Sequence, residues 1–316
     1  MKLKDTIFIL GAGASRPYGY PTAEELREDL ILKYNEVVPS ISNYIPTLKQ
    51  NLREYLNETK KLIEQFNHSH TDSIDLFLTR NQKNVNTELG RGLILLFILW
   101  YEKHSNLRSI NRENDWYFEF FNELTSDILK KEDLIKLTNH KIHFITFNYD
   151  RSLENFLYVS FLNSYSLNPD ETKNIMDKIF EFHHVYGKIA ELDWQSDKVS
   201  LAYKAAPNEE LYHNPNSINL IYDERKADDN IQELIQTHNR IYFLGFGFAK
   251  ANIEFLNLKE RLTKDHKIHA TAMRLNHRRQ SEIKLQIRKG PSGIRDNEVY
   301  FHDGSDNLKL LRDQLF

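Results

Sequence analysis

The sequence predicts an α/β fold: a Rossmann-like, doubly wound and mostly parallel sheet that carries a large α-helical insertion. Short apolar runs rich in β-forming residues alternate with helical stretches, a pattern typical of βαβ units. A glycine-rich turn directly follows the first of these runs, and a long segment with helical periodicity and almost no glycine separates the first run from the second.

Seven apolar runs carry the strand signal, and each is short and rich in β-branched or aromatic residues. Helical stretches, such as 151–161 and 230–237, lie between several of them, so we expect mostly parallel strands with right-handed connections. The predicted strands are Thr6–Leu10, 141–147, 182–186, 217–222, Arg240–Leu244, 267–275 and 298–301.

Helix signals fill the segment between the first two strands. Thr22 and Glu25 fit a capping box behind Pro21, so a helix is expected to begin there. Apolar residues then recur at three- and four-residue steps as far as the second strand. We assign residues 1–25 and 137–316 to the α/β core and residues 26–136 to an α-helical insertion packed on it.

Composition narrows the class of protein. The chain has 316 residues, a net charge of −3 and no cysteine, and 40% of its residues are hydrophobic. These values indicate a folded chain without a global basic field, and they exclude disulfides, thiol catalysis and cysteine-ligated zinc. The start of the sequence lacks the apolar segment of a signal peptide, so we expect a cytoplasmic protein.

The most apolar run is residues 92–101 (GLILLFILWY). Its length is about half of the roughly 20 residues that a helix needs to cross a bilayer. We therefore expect no membrane span. The run fits a buried helix or, alternatively, a contact between subunits.

The first candidate site is the turn after the first strand, with Gly11, Ala12, Gly13 and Ser15. Glycines there bring backbone N–H groups close to a pyrophosphate, an approach that side chains would obstruct. Arg16 replaces the third glycine of the dinucleotide fingerprint, and no acidic strand end follows about 20 residues later. The alternative is a tight turn without a ligand.

Two further loops carry candidate residues. Pro21 and Thr22 lie in the loop before the predicted helix, where an ordinary rigid loop is the alternative. Thr146, Asn148 and Asp150 lie at the end of the second strand, where ligands of open α/β sheets bind. An amide and a carboxylate two residues apart suit ribose hydroxyls or a water, although Asp150 alternatively caps the following helix.

The next strand ends in a histidine pair. His184 and Tyr186 share one face of that strand, and His183 takes the other face. A histidine at a strand end can act as a general base near neutral pH, and a structural role is the alternative.

Small or polar residues also follow the later strands. Gly245 and Gly247 allow a ligand to approach closely, and Asn276 is suited to a ribose; plain turns are the alternative for all three. Candidate residues thus follow five predicted strands in order, although each one alone is a weak signal.

This order of motifs resembles the sirtuin-like NAD-consuming family. Residues 11–15 (GAGAS) resemble its opening GAG-x-S motif, and residues 146–150 (TFNYD) resemble its T-x-N-x-D motif. Residues 19–22 (GYPT) and 245–248 (GFGF) stand where the family has its G-x-P and later glycine motifs. Residues 71–78 (TDSIDLFL) and the helical insertion are similar to the bacterial anti-phage branch, which degrades NAD, often beside a HerA-type ATPase.

The sequence departs from the family pattern in three places. The zinc cysteines are absent, which favours an NAD hydrolase over a deacylase, and we expect no metal. Gly247 replaces the serine of the later glycine motif. Tyr186 stands where the family has its catalytic histidine, and His184 lies one step deeper on the same strand face.

The resemblance implies an NAD⁺ hydrolase that cleaves the nicotinamide–ribose bond, with NAD as its substrate. Asn148 would bind the water or the ribose, His184 would act as base, and Asp150 would hold the carboxamide or the local geometry. The glycine turn would hold the pyrophosphate and Asn276 the adenosine ribose. Assembly into a homo-oligomer and with a HerA-type ATPase would restrain the activity.

Three alternatives remain at this point. The chain is an NAD-dependent protein deacylase, a scaffold that senses NAD or ADP-ribose without catalysis, or a nucleic-acid-binding or nuclease subunit. The last draws on a basic stretch, although such runs are usually solvated helix faces. That stretch comprises Arg274, His277, Arg278, Arg279, Lys284, Arg288 and Lys289.

Overall fold

In a computed structural model of the chain, six parallel strands form one central sheet. The structure describes residues 3, 5–196, 200–213, 217–220, 229–273, 275–287 and 298–316. The strands are β1 (Thr6–Leu10), β2 (Ile142–Thr146), β3 (Phe180–His184), β4 (Arg240–Leu244), β5 (Lys267–Thr271) and β6 (Glu298–His302).

The strand order across the sheet is β3-β2-β1-β4-β5-β6. The chain therefore builds outward from β1 in one direction through β2 and β3, and in the other through β4, β5 and β6. The change of direction lies between β1 and β4, and this is the topological switch point at which such sheets bind ligands. The predicted Rossmann-like, doubly wound α/β fold is confirmed.

Most strand predictions agree with the structure, and the differences are instructive. β1 and β4 have the predicted bounds, whereas β2 and β5 are shorter than predicted. β3 begins two residues earlier and ends at His184, so Tyr186 lies outside it. The prediction of a strand over 217–222 is wrong for its described part, where Ile218 makes only an antiparallel bridge to Gly187; residues 221 and 222 lie outside the described residues.

Helices surround the sheet in the described part of the chain. The segment between β1 and β2 contains helices and loops and no strand, as predicted for an insertion. The helices are α1 (Ala12–Ser15), α2 (Ala23–Ser42), α3 (Pro46–Gln50), α4 (Leu52–His68), α5 (Ile74–Arg80), α6 (Thr87–His104), α7 (Trp116–Thr125), α8 (Ser152–Ser164), α9 (Pro169–Ile179), α10 (Glu209–Tyr212), α11 (Asp229–Thr237), α12 (Lys250–Leu256), α13 (Leu258–Arg261), α14 (His277–Ile287) and α15 (Asn307–Gln314), with 3₁₀ turns at Arg16–Tyr18, Arg112–Asn114 and Lys131–Asn139.

An aromatic ladder joins the insertion to the sheet. The rings of Phe8 and Phe144 stack at 5.2 Å between centroids, and Phe144 stacks on Phe182 at 5.1 Å. Phe120 of α7 meets Phe8 edge-on at 5.6 Å. All of these rings except Phe182 are fully buried. Because aromatic pairs add to the free energy of simple area burial, this ladder fixes α7 against the centre of the sheet.

A buried ion pair makes a second link between insertion and core. Arg151, at the start of α8, donates from Nε and Nη2 to the two carboxylate oxygens of Glu102 at 3.0 and 2.8 Å. Both side chains are almost fully buried. Arg151 also donates from Nη1 to the backbone oxygens of Glu191 and Leu201. The pair therefore ties α6 to the chain that follows β3.

The apolar run 92–101 lies within α6, and residues 92–99 are all buried inside the chain. Core packing accounts for its apolarity, so the alternative prediction of a subunit contact through this run is wrong. Among the described residues, no helix combines the length and the apolarity that crossing a bilayer requires.

Candidate functional site

The turns that follow β1 and β4 touch each other at the switch point. The backbone N–H of Gly11 donates to the Leu244 oxygen at 3.0 Å, and that of Gly13 donates to the Gly245 oxygen at 3.0 Å. A Cβ on Gly11 would lie 2.6 Å from the Gly245 oxygen. Gly245 itself has a φ of +58°. Glycine is therefore required here because two backbones meet, and the turn of β4 closes the crevice in this structure.

Asn148 lies directly beside the glycine turn. Its Nδ2 donates to the Gly11 backbone oxygen at 3.0 Å and to Ser15 Oγ at 2.9 Å. Its backbone N–H donates to Thr146 Oγ1 at 3.1 Å, which holds the loop close to the end of β2. The side chain is only 8% exposed. Among the described residues its Oδ1 has no hydrogen-bond partner, so one buried acceptor is available.

Asp150 contacts the same serine as Asn148. Ser15 Oγ donates to Asp150 Oδ2 at 2.6 Å, and Ser152 donates to Oδ1 from its backbone N–H at 3.0 Å and from Oγ at 2.5 Å. Burial raises the pKa of Asp150, and these donors oppose that rise. One oxygen thus accepts from Ser152, the first residue of α8, while the other joins Asp150 to the glycine turn; the N-cap of α8 itself is Arg151, without a side-chain capping bond.

His184 is held between two acceptors. Its Nδ1 lies 3.1 Å from the Asn148 backbone oxygen, and its Nε2 lies 3.2 Å from Glu154 Oε2. Both contacts are satisfied together when the ring carries two protons. Only 7% of the His184 side chain and 2% of the Glu154 side chain is exposed. In this arrangement His184 fixes the backbone that carries Asn148.

The charge on Glu154 is stabilised by cations. Burial alone would raise its pKa, but the Lys188 ammonium, 3.1 Å from Oε1, and His184 together hold the pKa well below its usual range. Gln195 Nε2 also donates to Oε1 at 3.1 Å. We did not predict a role for Glu154; the only signal in the sequence is an acidic residue among apolar ones early in a helix.

Tyr186 lies two residues beyond the end of β3, near the carboxyl ends of the strands. Its hydroxyl donates to Asn252 Oδ1 at 2.5 Å, and its ring meets Phe147 edge-on at 5.5 Å. Tyr186 and His184 therefore contact different neighbours, although both lie near the segment after β2. The hydroxyl of Tyr149, in that segment, donates to Asp75 Oδ1 at 2.6 Å, which brings α5 of the insertion to the site.

The loop with Pro21 and Thr22 has a clear structural role. Thr22 caps α2, since its Oγ1 accepts from Glu25 N–H at 3.3 Å and Glu25 Oε2 accepts from Thr22 N–H at 2.8 Å. The predicted capping box is confirmed. Tyr20, just before Pro21, is buried, and its hydroxyl lies 2.9 Å from the Tyr203 hydroxyl.

Two predicted binding residues, Gly247 and Asn276, lie outside the buried hydrogen-bond network around Ser15. Gly247 is exposed, and a Cβ placed on it would meet no atom within 4 Å. Asn276 is exposed too, and its Oδ1 accepts from the Arg279 backbone N–H at 2.9 Å at the start of α14. The helix-start role of Asn276 matches the plain-turn alternative.

The insertion supplies part of the wall behind the glycine turn. Trp116 Nε1 donates to the Ala14 backbone oxygen at 2.8 Å. The Tyr117 hydroxyl lies 2.8 Å from Ser152 Oγ, so it extends the hydrogen-bond chain that runs through Asp150. The insertion is thus built into the candidate site. Sequence reasoning missed these residues because they lie about 100 positions from the turn.

A separate pocket of about 240 Å³ opens between α7 and α8. Its polar lining residues are Arg108, Arg112, Asp115, Asn155 and Ser160. Asn155 is 8% exposed, the same fraction as Asn148. It therefore offers a matched asparagine outside the network around Ser15.

Comparisons with protein families and with curated proteins assign no function to this site. No protein family model matches the chain, and a comparison with curated proteins finds no match.

Proposed function

We propose that this chain is an NAD⁺ hydrolase that cleaves the nicotinamide–ribose bond at the switch point of its sheet. One observation carries the proposal: a buried amide oxygen, Asn148 Oδ1, has no partner among the described residues and lies beside the glycine turn after β1. A buried acceptor without a partner calls for a donor from a ligand or a water. A ribose hydroxyl or an attacking water supplies that donor.

The position of the site supports a dinucleotide. Ligands of doubly wound sheets bind beyond the carboxyl ends of the strands at the switch point, where Gly11 and Gly245 meet. Because Gly13 N–H already donates to Gly245, a pyrophosphate at this turn must displace the Gly245 backbone. We therefore propose that NAD binding separates the β4 turn from the β1 turn.

The chemistry requires little acid catalysis from the protein. Nicotinamide leaves NAD⁺ as a neutral molecule, so the enzyme must stabilise a cationic ribose and orient a water. Asn148 orients the ribose or the water through Oδ1. Asp150 acts as a positioning residue, because both of its oxygens accept hydrogen bonds from serines.

The geometry favours a positioning role for His184 rather than the role of general base. Both of its ring nitrogens already face acceptors, and one of these, Glu154, is a buried carboxylate. As a base, His184 would have to leave at least one of them. The contact of His184 with the Asn148 backbone oxygen instead positions the backbone of Asn148, and so sets the orientation of its side-chain amide.

The test is chromatography of NAD⁺ incubated with the purified full chain and with an Asn148→Ala variant. We expect nicotinamide release by the parent chain and a loss of at least about 100-fold in the variant, since one positioned polar group is typically worth that much. Asn155→Ala is the matched control, because Asn155 is equally buried but lines the separate pocket. Normal NAD⁺ turnover by Asn148→Ala would contradict the proposal.

The same experiment separates the alternatives. Nicotinamide release only with an acyl-lysine peptide identifies a deacylase, and calorimetric NAD binding without product identifies a sensing scaffold. The nucleic-acid alternative stays a prediction: Arg278 and Arg279 pair with Glu282 at 3.1 and 3.3 Å, and tight, salt-dependent DNA binding by the chain would support it. Arg274, Arg288 and Lys289 lie outside the described residues.

The biological setting extends the proposal and rests on the resemblance alone. We propose that NAD loss serves anti-phage defence, and that a homo-oligomer and a HerA-type ATPase restrain it. Because free NAD⁺ hydrolysis would harm the host, activity is expected to depend on assembly. The test is to repeat the chromatography with and without a HerA-type ATPase, and to measure the mass of the chain by sedimentation.

A further inference from the structure

A second polar cluster lies on the opposite face of the sheet from His184. His143 of β2 pairs in register with Glu181 of β3, and His183 follows Glu181 by two positions. Because side chains alternate along a strand, residues 143, 181 and 183 all point to one face. His184, the next residue in β3, points to the face that carries the proposed NAD site.

The three side chains converge on a small space. His143 Nδ1 lies 3.6 Å from Glu181 Oε2, and His183 Nε2 lies 3.8 Å from Glu181 Oε1. One ligand atom from each residue lies within 4.8 Å of the other two. In a tetrahedral zinc site with bonds of about 2.0–2.1 Å, ligand atoms lie about 3.3 Å apart. Binding one ion would therefore require these atoms to draw together, by up to about 1.5 Å for the most distant pair.

The chemistry of the cluster favours a metal over a simple ion pair. Nδ1 of His143 is buried and has no hydrogen-bond partner among the described residues. A neutral imidazole with its proton on Nε2 offers Nδ1 as a metal ligand. Glu181 keeps 43% of its side chain exposed, which leaves a path for an ion.

We propose that His143, Glu181 and His183 bind a divalent transition metal, with Zn²⁺ as the ion that this ligand set fits. Two imidazoles and one carboxylate form a ligand set that zinc uses in proteins, and a water would complete the coordination. The metal would join β2 to β3, which is the edge strand of the sheet. This site is independent of the proposed NAD chemistry.

Lys141 provides a test whose sign is opposite to that of ligand removal. Its ammonium lies 3.4 Å from Glu181 Oε2, the oxygen nearest to His143. A cation at this position competes with a metal for the carboxylate. Lys141→Gln is therefore expected to tighten metal binding, whereas His143→Gln, His183→Gln and Glu181→Gln are expected to weaken it.

The experiment is titration of the purified full chain with Co²⁺, followed by its visible absorption bands, and with Zn²⁺ by calorimetry. We expect one bound ion per chain, affinity losses of at least about tenfold in the three ligand variants and a gain in Lys141→Gln. His104→Gln, which removes an exposed histidine at the end of α6, is the control and is expected to bind like the parent. Thermal unfolding is expected to shift upward with Zn²⁺ in the parent, in His104→Gln and in Lys141→Gln, and to shift less in the three ligand variants.

Two results would overturn the site. One is absence of stoichiometric binding by the parent chain. The other is binding by Glu181→Gln and His183→Gln that equals the parent in affinity and in cobalt spectrum. Should His143→Gln fail to fold, the half-exposed Glu181 and the exposed Lys141 still give variants with opposite expected signs.

Discussion

Asn148 Nδ2 donates to Ser15 Oγ at 2.9 Å, and this bond connects the loop after β2 to the helix after β1. The serine passes the connection on, because its own hydroxyl donates to Asp150 at 2.6 Å. Asn148 and Asp150 of the loop after β2 therefore form one hydrogen-bonded unit with Ser15 of the turn after β1. Its members are buried, so removing any of them leaves a polar partner unsatisfied.

Ser15→Ala tests this unit. The change leaves an amide N–H of Asn148 and an oxygen of Asp150 buried without their partner, so we expect the free energy of unfolding to fall by about 1–3 kcal/mol. Urea denaturation followed by circular dichroism measures it. Ser126→Ala, at an exposed helix end, is the control, and an equal effect of the two changes would contradict the idea.

Gly245 and Gly247 form a matched pair for the contact between the turns. A Cβ on Gly245 would lie 2.1 Å from the Ala14 nitrogen, and its φ is +58°, whereas a Cβ on Gly247 meets nothing within 4 Å. Gly245→Ala is expected to lower the unfolding free energy by about 3 kcal/mol or more, and Gly247→Ala to change it by less than about 0.5 kcal/mol. Similar thermal midpoints for the two variants would exclude the contact.

Arg151 and Arg16 compare a buried and an exposed ion pair. Arg151 and Glu102 are almost fully buried, so Arg151→Met leaves a carboxylate without its cation and is expected to cost about 3–5 kcal/mol. Arg16, with 49% of its side chain exposed, pairs with Glu25, and Arg16→Met is expected to cost at most about 1 kcal/mol. Guanidinium denaturation measures both, and equal costs would argue against the buried link.

Glu154 predicts an acid-sensitive fold. Its pKa in the folded chain is held below the ordinary 4.5 of an unfolded chain, so its contribution is complete above pH 4.5 and is lost as the pH falls below that value. We expect the slope of unfolding free energy against pH in this acid range to be shallower in Glu154→Gln. Glu64→Gln, on the exposed face of α4, is expected to keep the parent slope. A parent-like slope in Glu154→Gln would refute this assignment.

Sequence patterns predicted those parts of the fold that depend on residues close together in the chain. The apolar runs of β1 and β4 are bounded by turn residues, and the structure gives them the predicted limits. The capping box of Thr22 and Glu25 likewise involves neighbours in the chain. Asn148 and Asp150 both contact Ser15, a partner that their spacing did not identify.

Long-range contacts account for what the sequence did not predict. Glu154 and His184 are 30 residues apart, and nothing near either one signals the other. Glu181 lay outside the predicted strand, so its alignment with His143 was invisible until β3 was seen to begin at Phe180. The prediction of a strand from 217 is wrong for residues 217–220, because within the described part of the chain Ile218 has only an isolated bridge to Gly187.

The consecutive histidines of β3 make the outermost strand intolerant of sliding. A shift of one residue against β2 would turn Glu181 and His183 toward the Glu154 side and His184 toward His143, so both clusters would lose their geometry at once. Outer strands have only one neighbour to hold their alignment. A metal ion bound by residues of both β2 and β3 would hold this register. Metal binding on one face of the sheet would then stabilise the position of His184 on the other face.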